Sequence, residues 1–100
     1  MHFAVRRVRG RAWDATKPMR QQALWPEHAA FMEGLVAERF VVLGGPVGGG
    51  EEAPEVLLVI DARSAEAIRA RLDADPWSKT GLLEVARIEP WTVLLDGRSA

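Results

Sequence analysis

His28 is the residue of this chain best suited to acid–base chemistry, and it stands at the start of a segment with helical spacing. Pro26 and Glu27 precede it, and both residue types favour the first turn of a helix. A neutral imidazole is favoured there, because the positive end of the helix dipole opposes a second positive charge, and a neutral imidazole can accept a proton. The alternative is a histidine at the rim of the core that hydrogen-bonds a backbone carbonyl.

Asp75 is the candidate partner of His28. A carboxylate that reaches the other ring nitrogen would fix the tautomer and stabilise the imidazolium, so that the pair could act as a general acid and base. An aspartate ahead of a proline, as in Asp75-Pro76, more often closes a helix or forms an Asx turn. Taken alone, Asp75 is better explained by that structural role, and only the pairing with His28 favours a catalytic one.

Further residues are candidates for holding a ligand. Gly44-Gly45-Pro46 could bring backbone N–H groups close to an oxyanion, although strand ends often use these residues for turns. Arg87 could hold a ligand carboxylate, or pair with Glu89 across a dimer. Three tryptophans could line an apolar pocket for an aromatic ring, or pack in the core or a dimer interface: Trp25, Trp77 and Trp91.

The amino-acid composition limits which other kinds of site and partner this chain could have. The absence of cysteine excludes disulfides, thiolate zinc sites and a cysteine nucleophile. No metal or cofactor is predicted, because His2 and His28 are the only imidazoles and no ligand cluster accompanies them. A net charge of -1 and the lack of a long apolar run predict a cytoplasmic protein with no nucleic-acid or membrane partner. Four arginines near the N-terminus are interpreted as an exposed strand edge: Arg6, Arg7, Arg9 and Arg11.

Four strands and two helices are expected to position these residues. The strands are predicted over residues 1–8, 40–43, 55–60 and 83–95, and the helices from Pro26 onward and over 64–73. The segments 10–24, 47–54 and 77–81 are predicted loops, and Gly44-Gly45-Pro46 is predicted to end the second strand. Alternation along the last strand predicts Val85 and Ile88 on opposite faces. Residues 1–96 are expected to form one domain and residues 97–100 a tail.

The order β-α-β-β-α-β is typical of the α+β ferredoxin-like fold, a four-stranded antiparallel sheet with two helices on one face. Residues 56–60 are apolar at five consecutive positions, so both faces of this strand should be covered. Two helices can cover only one face of the sheet. A second copy of the chain would bury the other, so we expect a homodimer through the sheet face.

Four short motifs in this order resemble those of the YCII-related (YciI-like) family: Pro26-Glu27-His28, Gly44-Gly45-Pro46, Asp75-Pro76-Trp77 and Ile88-Glu89-Pro90-Trp91. The resemblance implies a dimeric α+β barrel with a pocket between helix and sheet. A histidine and an aspartate proposed as a catalytic pair in the family would correspond to His28 and Asp75. One relative is a dehydrochlorinase of a chlorinated hydroxyquinol, and the fold is also similar to muconolactone isomerase. Trp77 stands where Phe or Tyr is more usual, which would change the size of the pocket.

The residues and the resemblance predict a small cofactor-free enzyme. His28 would be the general acid and base, oriented by Asp75, in an isomerisation or elimination on a small cyclic or phenolic compound. The alternative is a non-catalytic module that binds a small molecule or another protein. A haem- or oxygen-handling barrel is a third possibility, by analogy of fold alone. The predicted substrate-binding residues are Gly45, Pro46, Trp77, Arg87 and Trp91.

Overall fold

A four-stranded antiparallel sheet forms the centre of the protein, and the computed structural model describes residues 1–98. Its strands are β1 (His2–Arg9), β2 (Val41–Val47), β3 (Glu55–Asp61) and β4 (Leu83–Pro90). They lie in the order β2-β3-β1-β4, so β1 and β3 are central and β2 and β4 are at the edges. The predicted antiparallel sheet is confirmed. Residues 99–100 of the predicted tail lie outside the described residues.

The helices of residues 1–98 are α1 (Trp25–Ala37), α2 (Ala65–Asp73) and the short α3 (Pro76–Lys79), with a 3₁₀ turn at Met19–Gln21. Pro26 occupies the first turn of α1. Backbone N–H groups in the first turn have no partner within the helix, so the missing N–H of proline costs no hydrogen bond there. Ser64 caps α2, because its hydroxyl accepts a hydrogen bond from the backbone N–H of Ala67 at 3.1 Å. The predicted order of elements is confirmed, with α3 as an addition.

Helices α1 and α2 both pack on one face of the sheet. Alternate side chains of β1 and β3 point toward them, because successive side chains of a strand face opposite sides. We call the resulting apolar cluster the main core. Its buried members are Phe3, Val5, Leu35, Val41, Leu58, Ile60, Ile68 and Leu72.

A second apolar cluster lies at one end of the sheet. Its buried members are Trp77, Leu82 and Leu83, and Trp13, Met19 and Trp25 pack against them. We call these six residues the tryptophan cluster. It joins α3 and the start of β4 to the long connection between β1 and α1, so that connection is a packed part of the fold.

The face of the sheet opposite the helices carries apolar side chains that are partly open to solvent. Leu43 of β2 is 61% exposed and Trp91, just after β4, is 46% exposed. Val59, the neighbour of Leu43 on β3, is 9% exposed. Trp91, Val93 and Leu95 line a shallow cavity with it. The C-terminal segment therefore covers part of this face and leaves the rest open.

The prediction that Gly44-Gly45-Pro46 ends the second strand was wrong. β2 continues to Val47, and Gly44 pairs with Leu58 of β3. A Cβ on Gly44 would lie 2.5 Å from a methyl carbon of Leu58, so the glycine permits a close approach of the two strands. Pro46 is tolerated because β2 is an edge strand, where a missing N–H need not break a ladder bond.

Two further predictions at the C-terminal half were wrong. The segment 77–81 was predicted to be a loop, but most of it belongs to the helix α3. Asp75 caps the N-terminus of this helix, and Pro76 suits its first position. Strand β4 ends at Pro90, before the predicted residue 95. A β-bulge interrupts its pairing with β1, since Arg6 pairs with residue 87 and the next residue pairs with 85.

The bulge also changes which side chains of β4 face inward. It inserts an unpaired residue, Ala86, into the strand. Simple alternation puts Val85 and Ile88 on opposite faces, yet both pack against the main core. The extra residue restores them to one face, because it shifts the alternation by one position.

Within residues 1–98, no helix is long and apolar enough to cross a membrane. The location of the protein in the cell stays a prediction.

Candidate functional site

A cavity of about 260 Å³ lies between α1, the sheet and the β2–β3 hairpin. Its walls are mostly apolar, with aromatic rings from Trp13, Trp25 and Trp77. An engineered apolar cavity of about 150 Å³ binds benzene, so this one has room for a single substituted ring. A few polar side chains also line the cavity: Arg7, Arg9, His28 and Glu51.

His28 and Asp75 meet at the wall of this cavity. His28 lies in the first turn of α1, and its Nδ1 atom is 2.9 Å from each carboxylate oxygen of Asp75. The Asp75 side chain is fully buried, and that of His28 is 10% exposed. Two residues that are 47 positions apart in the sequence are thus hydrogen-bonded, with the imidazole placed between the carboxylate and the open space of the cavity.

Asp75 has a structural role at the same time. One carboxylate oxygen accepts a hydrogen bond at 2.9 Å from the backbone N–H of Trp77, which makes Asp75 the N-cap of α3. The two interpretations of this residue are therefore compatible. The cap holds the carboxylate in place, and its remaining acceptor capacity is directed at His28.

Arg7 is the third member of this arrangement, and the sequence interpretation missed it. Its Nη1 donates a hydrogen bond to Asp75 at 2.8 Å, and its Nη2 donates one to the hydroxyl of Ser78 at 2.8 Å. Its side chain is 1% exposed. The interpretation of Arg7 as part of an exposed edge was wrong. Phe3 and Val5 share its face of β1, so continuing their alternation would have placed it inside.

Asp75 is held in its charged form. Burial raises the pKa of its carboxyl, but hydrogen bonds from His28, from the N–H of Trp77 and from Arg7 outweigh this effect. The pKa of Asp75 is therefore lowered from its ordinary value of 3.8. An ionised carboxylate only accepts hydrogen bonds, so Nδ1 of His28 carries the hydrogen between them. In a neutral ring, Nε2 then carries the lone pair.

Trp77 fixes the plane of the His28 ring. The two rings are stacked with centroids 3.8 Å apart and an angle of 5° between their planes. The indole N–H of Trp77 donates a hydrogen bond of 2.7 Å to the backbone carbonyl of Ala23. Trp13 and Trp25 pack against Trp77 at centroid distances of 5.6 and 5.7 Å. This arrangement restrains rotation of the imidazole, which preserves its bond to the carboxylate.

The hairpin loop of residues 48–54 lines one side of the cavity through Glu51, Ala53 and Pro54. Glu51 forms an ion pair with Arg20, and the Glu52 carboxylate accepts a hydrogen bond from the backbone N–H of Met19. Arg9 donates to the backbone carbonyl of Glu52 at 2.9 Å. These contacts are exposed, and ion pairs of this kind contribute little to stability. The loop is therefore held beside the cavity by weak polar contacts.

The predicted binding residues divide into two groups. Gly45, Pro46 and Trp77 line the cavity with His28. Arg87 and Trp91 do not. The Arg87 side chain is 64% exposed and lies 3.8 Å from Glu89 of the same chain. Trp91 lies beside Val59 on the open face of the sheet. Arg87 pairs with Arg6, which faces away from the buried side of β1, so Arg87 lies on the side of the sheet opposite the cavity. Trp91 lies past the end of β4.

Within residues 1–98, no group of three or more His, Asp or Glu side chains could hold a metal ion. The polar groups of the cavity are one imidazole, two guanidinium groups and one carboxylate, each with an identified partner: His28 with Asp75, Arg7 with Asp75, Arg9 with Glu52 and Glu51 with Arg20. The site is thus suited to proton exchange and to holding a polar ring substituent.

The fold is similar to that of a solved enzyme, 5-chloro-2-hydroxyhydroquinone dehydrochlorinase from Burkholderia phenoliruptrix AC1100, in a complex with 2,5-dihydroxybenzoquinone. The TM-score is 0.66 and the sequences are 25% identical. The match covers 92% of this chain and 94% of that one. No curated protein matches the sequence significantly.

The sequence profile of the YCII-related domain matches residues 5–92. This span runs from β1 past the end of β4 and includes His28, Asp75 and all four motifs that carry the resemblance. Because the match covers most of the chain, the family resemblance is confirmed. The chain belongs to the YCII-related domain family.

Proposed function

We propose that this protein is a small enzyme that moves a proton on a cyclic or phenolic compound of one ring. His28 is the general acid and base, and Asp75 orients it. The observation that carries the proposal is the contact between Nδ1 of His28 and the buried Asp75 carboxylate, at 2.9 Å, on the wall of a cavity. Pairs of this kind fix the tautomer and stabilise the imidazolium that forms when the ring accepts a proton.

The free nitrogen of His28 is the one that would exchange the proton. Nδ1 is engaged by Asp75, whereas Nε2 makes no hydrogen bond to any residue between 1 and 98. A ligand hydroxyl in the cavity can therefore donate to Nε2 without displacing a protein partner. A general base must lie within hydrogen-bond reach of the proton that it removes. A ring against Trp25, whose centroid is 5.9 Å from that of His28, would meet that condition.

The chemistry that fits this site begins with a ring hydroxyl. Nε2 of His28 takes the proton, and the electron pair of the O–H bond becomes part of a carbonyl. In an elimination from a chlorinated hydroquinone, the displaced ring electrons take a proton at the carbon that bears chlorine. Loss of the proton of a second ring hydroxyl then forms a second carbonyl as chloride leaves, so the net change is loss of HCl. In an isomerisation, the displaced ring electrons form a new C–H bond with a proton returned by His28. Either route is balanced without a redox partner.

The cavity walls support a flat aromatic or quinonoid ligand. Trp13 and Trp25 offer aromatic surface to a ring, and Gly45 and Pro46 form the sheet side of the cavity. The similar dehydrochlorinase acts on a hydroxyhydroquinone and was solved with a dihydroxybenzoquinone. Both of those compounds have one ring with hydroxyl groups, which matches the size of the cavity.

The test uses 5-chloro-2-hydroxyhydroquinone as a probe, under anaerobic conditions, with chloride release as the readout. His28→Ala should lower turnover by about 10²–10⁴-fold, the usual contribution of a general acid or base. His2→Ala is the matched control, because His2 lies outside the cavity. Full turnover by His28→Ala contradicts the proposal. Tight binding of the probe without turnover by the wild type would favour the non-catalytic alternative.

We also propose that a second copy of the chain covers the open face of the sheet. Leu43 is 61% exposed there and Trp91 is 46% exposed, and pairing of two such faces would remove both from water. Leu43→Arg should turn a dimer into a monomer in sedimentation at micromolar concentration. Val36→Arg is the control, since Val36 is 53% exposed on α1. A monomeric wild type contradicts the dimer.

A further inference from the structure

Arg7 has a role in the site beyond holding the fold together. We infer that Arg7 is a positioning residue, which fixes the Asp75 carboxylate against Nδ1 of His28 and eases return of the proton from the other ring nitrogen. The inference rests on the proposed function, because it assigns the acid–base pair a third member. We call Arg7, Asp75 and His28 the buried trio.

The contacts of Arg7 are those of a side chain with a fixed orientation. Its guanidinium donates to Asp75 and to Ser78, both at 2.8 Å, so two neighbouring N–H groups bridge the N-terminus of α3. A planar guanidinium holds such a pair of acceptors with a geometry that an ammonium cannot reproduce. Asp75 thus receives hydrogen bonds from β1, α1 and α3 together.

Stability alone does not explain an arginine at this position. Phe3 and Val5 occupy the same face of β1 and belong to the main core. Replacing a buried ion pair by apolar residues of similar volume is often neutral or stabilising. The Nε atom of Arg7 is also buried with no hydrogen-bond partner among residues 1–98, which is unfavourable for folding. A charge kept here despite that penalty points to a chemical use.

The charge of Arg7 has a definite effect on the proton of the pair. Arg7 and Asp75 cancel one another, so the buried trio is neutral with a neutral imidazole and carries one positive charge with an imidazolium. Without Arg7, the carboxylate and the imidazolium would form a neutral pair that retains the proton. The guanidinium therefore makes the proton easier to return, and its positive charge also matches an anionic intermediate in the cavity.

Other charged side chains near the trio are already paired. Arg9 lines the cavity and contacts Glu52, and Glu51 lines it and contacts Arg20. On α3, Lys79 lies in the last turn and stays outside the lining of the cavity. Arg7 is the cation in direct contact with the Asp75 carboxylate, so its replacement changes the charge at the site most directly.

The experiment follows the two histidine rings by ¹⁵N NMR as the pH is changed, with no substrate present. Arg7→Met and Arg7→Gln remove the charge, Arg7→Lys keeps it, and Arg6→Met is the matched control on the opposite face of β1. Both neutral variants should keep the His28 ring protonated to a higher pH than the wild type does, because a nearby positive charge is lost. Arg7→Lys should rescue the wild-type midpoint, and His2 should not move.

An unchanged His28 midpoint in the neutral variants overturns the inference, even if His28 proves essential for turnover. A shift in Arg7→Lys equal to that in Arg7→Gln also overturns it, since that result would mark a purely structural contact. Arg7→Gln can hydrogen-bond Asp75, so the test stands if Arg7→Met does not fold. A shifted midpoint together with full turnover by His28→Ala would reject the proposed function alone.

Discussion

The main core and the tryptophan cluster are both buried, but they are organised in different ways. In the main core, Val5, Ile60 and Ile68 have no exposed surface, and every member is apolar. In the tryptophan cluster, Trp77 is equally buried, yet it stacks on His28 beside a buried ion pair. One region is stabilised by close packing of apolar surface, whereas the other surrounds charged groups and an open cavity.

This difference predicts how the main core and the tryptophan cluster should respond to substitution. Truncating an apolar side chain in the main core leaves a cavity, and the penalty depends on volume. Removing one member of the buried trio leaves its partners charged and unpaired, and the penalty depends on charge. The four predictions below test this distinction, from the largest expected effect to the smallest.

Asp75→Ala should have the largest effect on the free energy of unfolding. It leaves the guanidinium of Arg7 buried without its counterion and removes the cap of α3, so we expect a loss of about 3–5 kcal/mol. Urea unfolding followed by tryptophan fluorescence measures it. Asp75→Asn also removes the charge but keeps the shape and the cap, so it should show most of this loss. A loss close to zero in Asp75→Asn would mean that shape and the cap, not charge, matter here.

Ile68→Ala should destabilise the main core and leave the site intact. Ile68 is fully buried, and truncations of this kind lower the free energy of unfolding by about 2–5 kcal/mol. The ¹⁵N signals of His28 should stay at their wild-type positions, because Ile68 does not line the cavity. Movement of those signals would show that the two regions are coupled.

The stability of the protein should also depend on pH through Asp75. Its pKa is lowered in the folded state, so the carboxylate contributes stability at pH values above 3.8, and that contribution is lost as the pH falls below this value. The difference in unfolding free energy between wild type and Asp75→Asn should therefore stay constant near neutral pH and narrow as the pH falls below 3.8. A difference that stays constant down to low pH contradicts this role.

Glu51→Gln should have the smallest effect. The ion pair of Glu51 with Arg20 lies on the surface at the mouth of the cavity. Exposed pairs are screened by water and salt. The urea midpoint should match that of the wild type within error at high and low salt. A clear loss of stability would mean that the hairpin loop is a stabilising part of the tryptophan cluster.

Much of the fold could be predicted because local spacing determines it. The proline and acidic residue ahead of His28 mark a helix start, the serine at position 64 marks another, and five apolar residues in a row mark a central strand. His28 and Asp75 were also recognisable as candidates. His28 was a candidate because of its place at a helix start, whereas Asp75 became one only through the possible pairing with His28 and the family motifs that contain both.

The incorrect sequence predictions share a physical cause. Gly44 and Pro46 look like a turn in isolation, but the neighbouring strand β3 keeps them in β2. The faces of Val85 and Ile88 depend on a bulge in pairing with β1, which is more than 70 residues away in the sequence. Arg87 and Trp91 were grouped with the site by residue type alone. Pairing between distant strands decides each of these positions.

The sequence by itself determined the order of the elements, the membership of the YCII-related family and the two residues of the proposed acid–base pair. Only the tertiary structure decided that Asp75 lies 2.9 Å from His28 and that Arg7 completes the trio from the opposite side. The reason is that helix starts and strand alternation are set by neighbours along the chain, whereas burial of an ion depends on which distant groups reach it.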